Sequence, residues 1–416
     1  EILPETNMEQ VLSNVLGNRF RYQSFFEQVA ALLAKPQAEF AERIRYKASF
    51  TFISQLDAFL LHIENNFFRA ADVKLTGHLI IPAEFIEEQF HRFNRLPIRM
   101  RFGAMTDYIL EMAQVQYRIA VTTANRNMLR EAIRAMFAGN NDLQVYKDFF
   151  EWAGKPEMFK LLKNRTLEYA DLAPLAYVHL ALEGTASQNR VKHLLIDEMQ
   201  DYSPIQYKLI QKLYPCRKTI LGDAGQSLNP YSCSDAEMIR KAFGSAEIMR
   251  LNKSYRSTCE IAQLANVIRP GSDMEIIERH GAEVKICRYE TSEDEIKAIA
   301  GFLSGFKESQ FNSLGIICKE EAEASALYEQ LKPGYPGIHF LSHQSTAWIN
   351  GIVVISVHMA KGLEFDEVII PHAGRKNYKT EIDRSMLYIA VTRAMHRLSL
   401  TSSGEITGFL DQATMQ

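Results

Sequence analysis

The feature that most constrains this chain is a strand–helix alternation that begins near position 190 and runs to the end of the sequence. Short leucine-rich or β-branched runs at 193–196 and 218–221 each end in Asp or Gly, and helical patterns follow at 203–213, 234–243 and 257–268. After the breaker run Ile268-Arg-Pro-Gly-Ser-Asp273 the alternation resumes, with strands at 284–289, 314–318, 351–356, 368–371 and 397–401. Helices are expected between them at 292–305, 321–331 and 383–392. Such a chain folds as α/β, around a mostly parallel sheet covered by helices on both faces. Ligands in these sheets sit beyond the C-terminal ends of the strands, so the chemistry is expected just after each strand. The breaker run marks the expected domain boundary.

Ahead of position 185 the pattern is helical instead. Residues 24–34 space Phe25, Phe26, Val29 and Leu32 on one face, and 50–68 does the same with Phe52, Ile53, Leu56, Phe59, Leu60 and Ile63. These stripes read as helix core. A short strand is expected at 78–81, and Pro82 fits the first turn of the helix after it. Further helical patterns fill 105–137 and 142–152. No internal repeat is apparent.

Composition narrows the function classes. The 416 residues hold 47 Lys+Arg against 50 Asp+Glu, a net charge of -3, which excludes a uniformly basic coat but not a local basic face. Apolar residues at 47% and charged residues at 23% place the chain among folded proteins and exclude disorder as its main state. No apolar run approaches the roughly 20 residues of a membrane span, and the sequence opens without a signal-peptide pattern. The five cysteines (Cys216, Cys233, Cys259, Cys287, Cys318) form no CxxC pair. Neither a zinc site nor a disulfide framework is expected, and reduced thiols in a cytoplasmic protein are the default. The first residue is Glu1 rather than Met, so a piece of a longer chain is expected.

Five segments carry the chemistry. In Leu194-Leu-Ile-Asp-Glu-Met-Gln-Asp201 an apolar strand delivers two adjacent carboxylates, Asp197 and Glu198. Two acids at one strand end are costly unless a cation or proton neutralises them. Nucleotide hydrolysis needs such a pair, one acid to hold Mg²⁺ and one to orient or deprotonate water. In Ile220-Leu-Gly-Asp-Ala-Gly-Gln-Ser227, Asp223 is either a turn residue or a ligand, and Gln226 suits sensing a terminal phosphate. In Leu251-Asn-Lys-Ser-Tyr-Arg-Ser-Thr258, Tyr255 is placed to stack on a base and Arg256 to meet phosphate charge. Ser257 or Thr258 can cap the next helix, and Ser257 with Glu260 forms a capping-box pattern. In Val353-Val-Ile-Ser-Val-His-Met-Ala-Lys-Gly-Leu-Glu-Phe365, His358, Lys361, Gly362 and Glu364 follow a buried strand, where a ribose or nucleic-acid phosphates can be read. In Leu387-Tyr-Ile-Ala-Val-Thr-Arg-Ala394, Arg393 ends an apolar helix, either as a dipole partner or as an arginine finger.

Taken in this order, the five segments closely resemble the signatures of superfamily 1 helicases of the UvrD/Rep type. The resemblance covers about residues 190–416. It implies two RecA-like domains with ATP and Mg²⁺ between them, single-stranded nucleic acid (DNA) crossing the top, and 3′-to-5′ motion. It implies that Asp197 binds Mg²⁺, Glu198 activates water and Gln226 contacts the γ-phosphate. Tyr255 would stack on adenine, Arg256 and Arg393 would be paired γ-phosphate contacts, Glu364 would hold the ribose, and His358 with Lys361 would lie on the nucleic-acid side. Asp223 and Gly362 join the nucleotide-binding set.

Three features depart from the family pattern. No Gly-x-x-x-x-Gly-Lys-[Ser/Thr] occurs; the Gly154-Lys155 pair runs into Pro156 outside any strand–loop–helix setting. The phosphate-cradling backbone is therefore missing, the chain looks like one that begins downstream of it, and no meaningful ATP hydrolysis is expected from it alone. Met199 stands where Ala is usual. Only about 95 residues separate Arg256 from Val353, too few for the large extra domain of UvrD and Rep. That compactness and the helical stretch ahead of the Asp-Glu pair resemble HelD, a helicase-like protein that binds bacterial RNA polymerase and carries a helical arm.

The resulting expectation is an α/β fold of two RecA-like domains with parallel sheets, the first incomplete at its N-terminus, plus a helical insertion. The expected parts are 1–20 (a remnant of the first RecA-like domain), 21–165 (helical arm), 166–270 (the rest of the first) and 271–416 (the second). In the arm, residues 91–134 hold eight arginines, no lysine and three acids, which suits forked contacts to phosphate or carboxylate. The function expected first is a HelD-like translocase acting on RNA polymerase. The alternatives are a UvrD/Rep-type DNA repair or replication helicase, or a catalytically dead interaction module.

Overall fold

The computed structural model describes residues 6–34, 38–76, 79–184, 190–229, 231–232, 236–244, 246–270, 275–342, 345 and 350–411. The chain forms two compact units, residues 1–221 with 231–246, and residues 222–230 with 247–416.

The first unit is mostly helical. Its elements are α1 (Met8–Leu16), α2 (Phe25–Ala34), α3 (Glu39–Lys47), α4 (Phe50–Asn66), β1 (Val73–Lys74), β2 (Ile80–Ile81), α5 (Ala83–Arg92), α6 (Ile98–Tyr117), α7 (Thr123–Ala135), α8 (Asp142–Trp152) and α9 (Tyr169–Glu183). Then come β3 (His193–Ile196), α10 (Pro204–Leu213), β4 (Arg217–Ile220) and α11 (Ala236–Phe243). The stripe of α4 is core, as expected; in α2 Val29 and Leu32 are buried, but Phe25 is only partly covered and Phe26 is exposed. Phe52, Ile53, Leu56, Phe59 and Ile63 of α4 are buried, and Ser49 caps that helix by accepting from the Phe52 amide. Pro82 sits one position earlier than expected, as the N-cap of α5. Of the expected strand at 78–81, Ile80–Ile81 pairs with β1, and His78 lies outside the described residues. The pattern at 105–137 splits into α6 and α7, because Arg118 turns left-handed (φ 49°) and Thr122 opens a new helix with its own side-chain cap.

The central helix α9 is apolar on nearly every side, which suits a helix enclosed by others. Beneath it lies a charge network invisible to periodicity. Lys47 Nζ donates to Glu168 Oε2 (2.9 Å) and Asp171 Oδ1 (2.5 Å), and Arg43 Nε donates to Glu168 Oε1 (3.0 Å). The Tyr146 hydroxyl also donates to Asp171 (2.9 Å). Two of the arm's eight arginines turn inward rather than out. Arg99 bonds Asp142 and Glu183 (both 2.7 Å), and Arg101 bonds Glu64 (2.6 Å). Their forks are used on carboxylates of the same unit.

The second unit contains β5 (Lys253–Ser254), α12 (Cys259–Ile268), β6 (Glu275–Ile276), β7 (Lys285–Tyr289), α13 (Ser292–Lys307), β8 (Ser313–Cys318), α14 (Glu321–Leu331) and β9 (Ile338–Leu341). It continues with β10 (Gly351–Ser356), α15 (Val357–Ala360), β11 (Phe365–Ile370), α16 (Glu381–Val391) and β12 (Ala394–Ser403). Six strands form one parallel sheet in the order β7-β12-β11-β8-β10-β9. The strand β9 and the short pair β5–β6 escaped the sequence reading. In the first unit β3 and β4 pair in parallel as a two-stranded sheet. The α/β class with parallel sheets and added helices is therefore the architecture found. Among the described residues, no helix is long and apolar enough to cross a membrane.

One packing detail fixes the register next to the site. Gly315 lies in the middle of β8, and a Cβ there would stand 2.8 Å from the ring of Phe365. The missing side chain leaves room for that ring, and Phe365 is fully buried.

Candidate nucleotide and nucleic-acid site

In the first unit, β3 delivers Asp197 and Glu198 at its C-terminal end. Asp197 is exposed, and its Oδ1 accepts from the Glu198 amide (2.8 Å). Glu198 is half-buried and left-handed (φ 52°, ψ 50°), a costly conformation for a residue with a side chain. It is held by the Asp201 amide on its carbonyl (2.9 Å) and by the side-chain amide of the fully buried Gln200 on Oε2. The strained acid thus keeps a fixed direction. Burial, then the carboxylates of Asp201, Asp197 and Glu198, push the Tyr202 phenol up.

Among the described residues, no group of three or more His, Cys, Asp or Glu is arranged to hold a metal. The two carboxylates at the end of β3, Asp197 and Glu198, suit Mg²⁺, which takes one or two carboxylates and completes its shell with water and substrate phosphates. Asp197 is the exposed carboxylate of the pair.

The second unit gathers the other nucleotide candidates. Asp223 turns inward: its Oδ1 accepts from the Gly225 amide (2.7 Å) and its Oδ2 from Gln226 Nε2 (3.0 Å). Burial and then the Asp223 charge push the Tyr388 phenol up to about 12. Of the two sequence readings of Asp223, this geometry is the turn residue's. Gln226, buried, accepts at Oε1 from Arg393 Nη2 (2.6 Å). Arg393, also buried, donates further to the carbonyls of Ile389 (3.3 Å) and Leu363 (3.2 Å). Next along the chain from Leu363, Glu364 Oε1 pairs with Arg256 Nε (2.6 Å), both about half exposed. Residues from four separated segments therefore meet: Asp223 and Gln226, Arg256, Glu364, and Arg393.

Tyr255 projects into solvent at 72% exposure, available for stacking. The expected capping box is absent. The Ser257 hydroxyl instead donates to the Ala394 carbonyl (2.7 Å), tying this turn to the start of β12. Glu260 accepts from the Gly281 amide (3.0 Å) and pairs with His280 (3.0 Å), because α12 begins one residue later than the box requires.

His358 lies on the short α15 after β10. Burial, then the nearby Lys361 charge, bring its ring down to about 4, so it is a neutral hydrogen-bonding group near pH 7. Gly362 adopts φ 80°, which a side chain would resist.

Two positioning arginines escaped the sequence reading. Arg269 donates to the Gly225 carbonyl (2.9 Å), and Arg279 to the Arg256 carbonyl (2.6 Å). The only hint was Arg269 inside the breaker run.

Residues 33–245 match the UvrD/REP helicase N-terminal domain, and 351–401 the UvrD-like helicase C-terminal domain. The chain belongs to the UvrD/Rep helicase family. It is 29% identical over 202 residues to DNA helicase II of Haemophilus influenzae, covering 45% of this chain and 26% of that protein. It is 30% identical over 129 residues to the ATP-dependent DNA helicase Rep of Escherichia coli, covering 28% and 19%. It is 26% identical over 198 residues to the ATP-dependent DNA helicase UvrD2 of Mycobacterium tuberculosis, covering 44% and 27%. The chain thus spans about a quarter of these relatives' length. A solved C-terminal domain of a possible DNA helicase from Lactobacillus plantarum is 28% identical, covering 38% of this chain and 92% of that one, at a TM-score of 0.34. These relatives are named for DNA helicases; the HelD placement and the RNA polymerase partner find no support among them.

Proposed function

We propose that this chain is part of an ATP-driven motor on single-stranded DNA, a helicase of the UvrD/Rep kind. The observation that carries the reading is the meeting of Gln226, Arg256, Glu364 and Arg393, drawn from four sequence segments. Arg393 and Gln226 contact the γ-phosphate, Arg256 adds a second guanidinium, Glu364 holds the ribose and Tyr255 stacks on adenine. Asp197 holds Mg²⁺, which shields phosphate charge when bound. Glu198 takes the proton of the water that attacks the γ-phosphorus as the bond to the β-phosphate oxygen breaks. His358 and Lys361 face the DNA. Guanidinium contacts of this kind stabilise charge in the transition state.

The DNA-helicase reading replaces the RNA polymerase-associated one as the better supported, since the relatives are DNA helicases. Turnover needs a phosphate-cradling loop, and none stands in these 416 residues.

The test is DNA-stimulated ATP turnover and strand separation by the complete gene product. Both should be present and fall at least a hundredfold in Glu198→Gln, while this chain alone shows neither. ATP turnover by the complete product that is indifferent to Glu198→Gln defeats the assignment. Co-purification with RNA polymerase without strand separation restores the displaced reading.

A further inference from the structure

The helix α3 begins without a cap. Its N-cap position is Ala38, which carries no side-chain oxygen, and among the described residues no side chain accepts from the amides of the first turn. The leading amides of a helix have no acceptor within it, and the helix dipole adds positive potential there. This end of α3 lines a cavity of about 530 Å³ in the first unit. That volume falls within the roughly 300–1,000 Å³ of small-molecule sites. None of the residues assigned above to nucleotide or DNA lines it.

Helical spacing decides which side chains of α3 reach the cavity. Glu39 and Arg43 are four apart, as are Phe40 and Ile44, and all four line it. Leu162 and Ala31 extend the apolar wall of Phe40 and Ile44, and Gln23 and Lys160 add polar groups.

Arg43 makes the cavity more than a groove. Its side chain is only 7% exposed. Nε (3.0 Å) and Nη2 (2.5 Å) both donate to Glu168 Oε1, which fixes one edge of the guanidinium fork. Nη1, at the other end, has no partner among the described residues, yet it is not sealed off from solvent. It therefore opens on the cavity that Arg43 lines. A charged donor held this deep and left unbonded is costly, and an anion in the cavity would satisfy it.

The surrounding charges set the kind of anion. Burial alone would push Glu168 up, but Lys47 and Arg43 hold it below its ordinary value, so its charge is already matched from both sides. Lys160 is exposed and makes no ion pair among the described residues. Glu39, exposed on the same lining, opposes a doubly charged head group more than a singly charged one.

We propose that this cavity binds a small organic monocarboxylate, with its carboxylate on Arg43 Nη1 and the first-turn amides of α3 and its apolar body against Phe40, Ile44 and Leu162. The motor reading uses none of these residues, so the two stand or fall separately.

The test uses this chain near pH 7 and 2-naphthylacetate, titrated by saturation-transfer difference NMR, beside 2-naphthylacetamide and 2-naphthyl phosphate. The neutral amide should bind about tenfold to a hundredfold more weakly than the acid, the range for hydrogen bonds to a charged group. Arg43→Lys keeps a cation for Glu168 but removes the free Nη1, and should cost about tenfold. Lys160→Ala, at the exposed rim, should cost no more than about fivefold. Ala38→Asp separates binding from folding. The backbone at Ala38 is extended (φ -76°, ψ 155°), as a capping Asp requires. That side chain would accept from the first-turn amides, so thermal unfolding should come no earlier while the acid loses at least about tenfold, its seat being taken. Loss of binding in Ala38→Asp at undiminished stability supports the proposal. An acid that binds no tighter than its amide, or equally well to Arg43→Lys and Ala38→Asp, overturns it. So does a natural chain that binds no acid, or one that prefers the phosphate.

Discussion

Removing the charge of Glu295 should alter how the second unit responds to acid, with a size set by the bonds it accepts from the His372 amide (2.8 Å), the His372 ring Nδ1 (3.2 Å) and the Thr401 hydroxyl (2.7 Å). The carboxyl lies at about 2 in the folded protein against an ordinary 4.5, a difference of roughly 2.5 units, or about 3 kcal/mol. Its side chain is 0% exposed, so solvent screening takes little of this. A lowered acid stabilises the fold at pH above its unfolded value and loses that contribution as pH falls through the folded one. The stabilisation is therefore complete above about pH 5 and drains away between about 4.5 and 2. His372 runs the other way. Its pairing with Glu295 raises it, so its share is full below its ordinary 6.5 and lost as pH rises past the folded value. Glu295→Gln should be less stable than the natural chain by up to about 3 kcal/mol near pH 6, with the gap closing toward pH 2. The assay is urea unfolding at each pH, followed by pulsed hydrogen exchange at one common labelling pH and read on peptides of β11 and β12. A gap that stays constant from pH 6 to 2.5 refutes the reasoning.

Two other predictions concern packing. Lys47→Met leaves the buried Asp171 without its cation, while Glu168 keeps Arg43, and should cost about 3–5 kcal/mol in urea unfolding of the first unit. Gly315→Ala drives a methyl against the Phe365 ring and should cost about 1–3 kcal/mol, with partial rescue by Phe365→Leu in the same assay.

The parallel sheet and its strand ends were legible because runs such as 351–356 and 314–318 are apolar, short and flanked by turn residues, and both appear where expected. The aromatic stripe of α4 was legible for the same reason, a period that only burial explains. What stayed hidden depends on partners far apart in sequence. Lys47 and Glu168 are 121 positions apart, and each alone looks like a solvated charge. Ser257 and Glu260 have the spacing of a capping box, yet partners on β12 and at Gly281 compete successfully for them. Asp223 looks like a ligand beside a glycine turn, but its own turn uses both carboxylate oxygens. The left-handed His372 (φ 56°) carries no local signal at all, because the Glu295 that enforces it comes from α13.

The most direct measurement of the central claim is a double-mutant cycle on DNA-stimulated ATP turnover by the complete gene product, using Gln226→Ala, Arg393→Ala and the pair. Their 2.6 Å contact makes them one working unit. The double variant should therefore lose little more than the worse single one, a coupling of about 1–3 kcal/mol. Losses that simply add, or turnover untouched by either change, would contradict it.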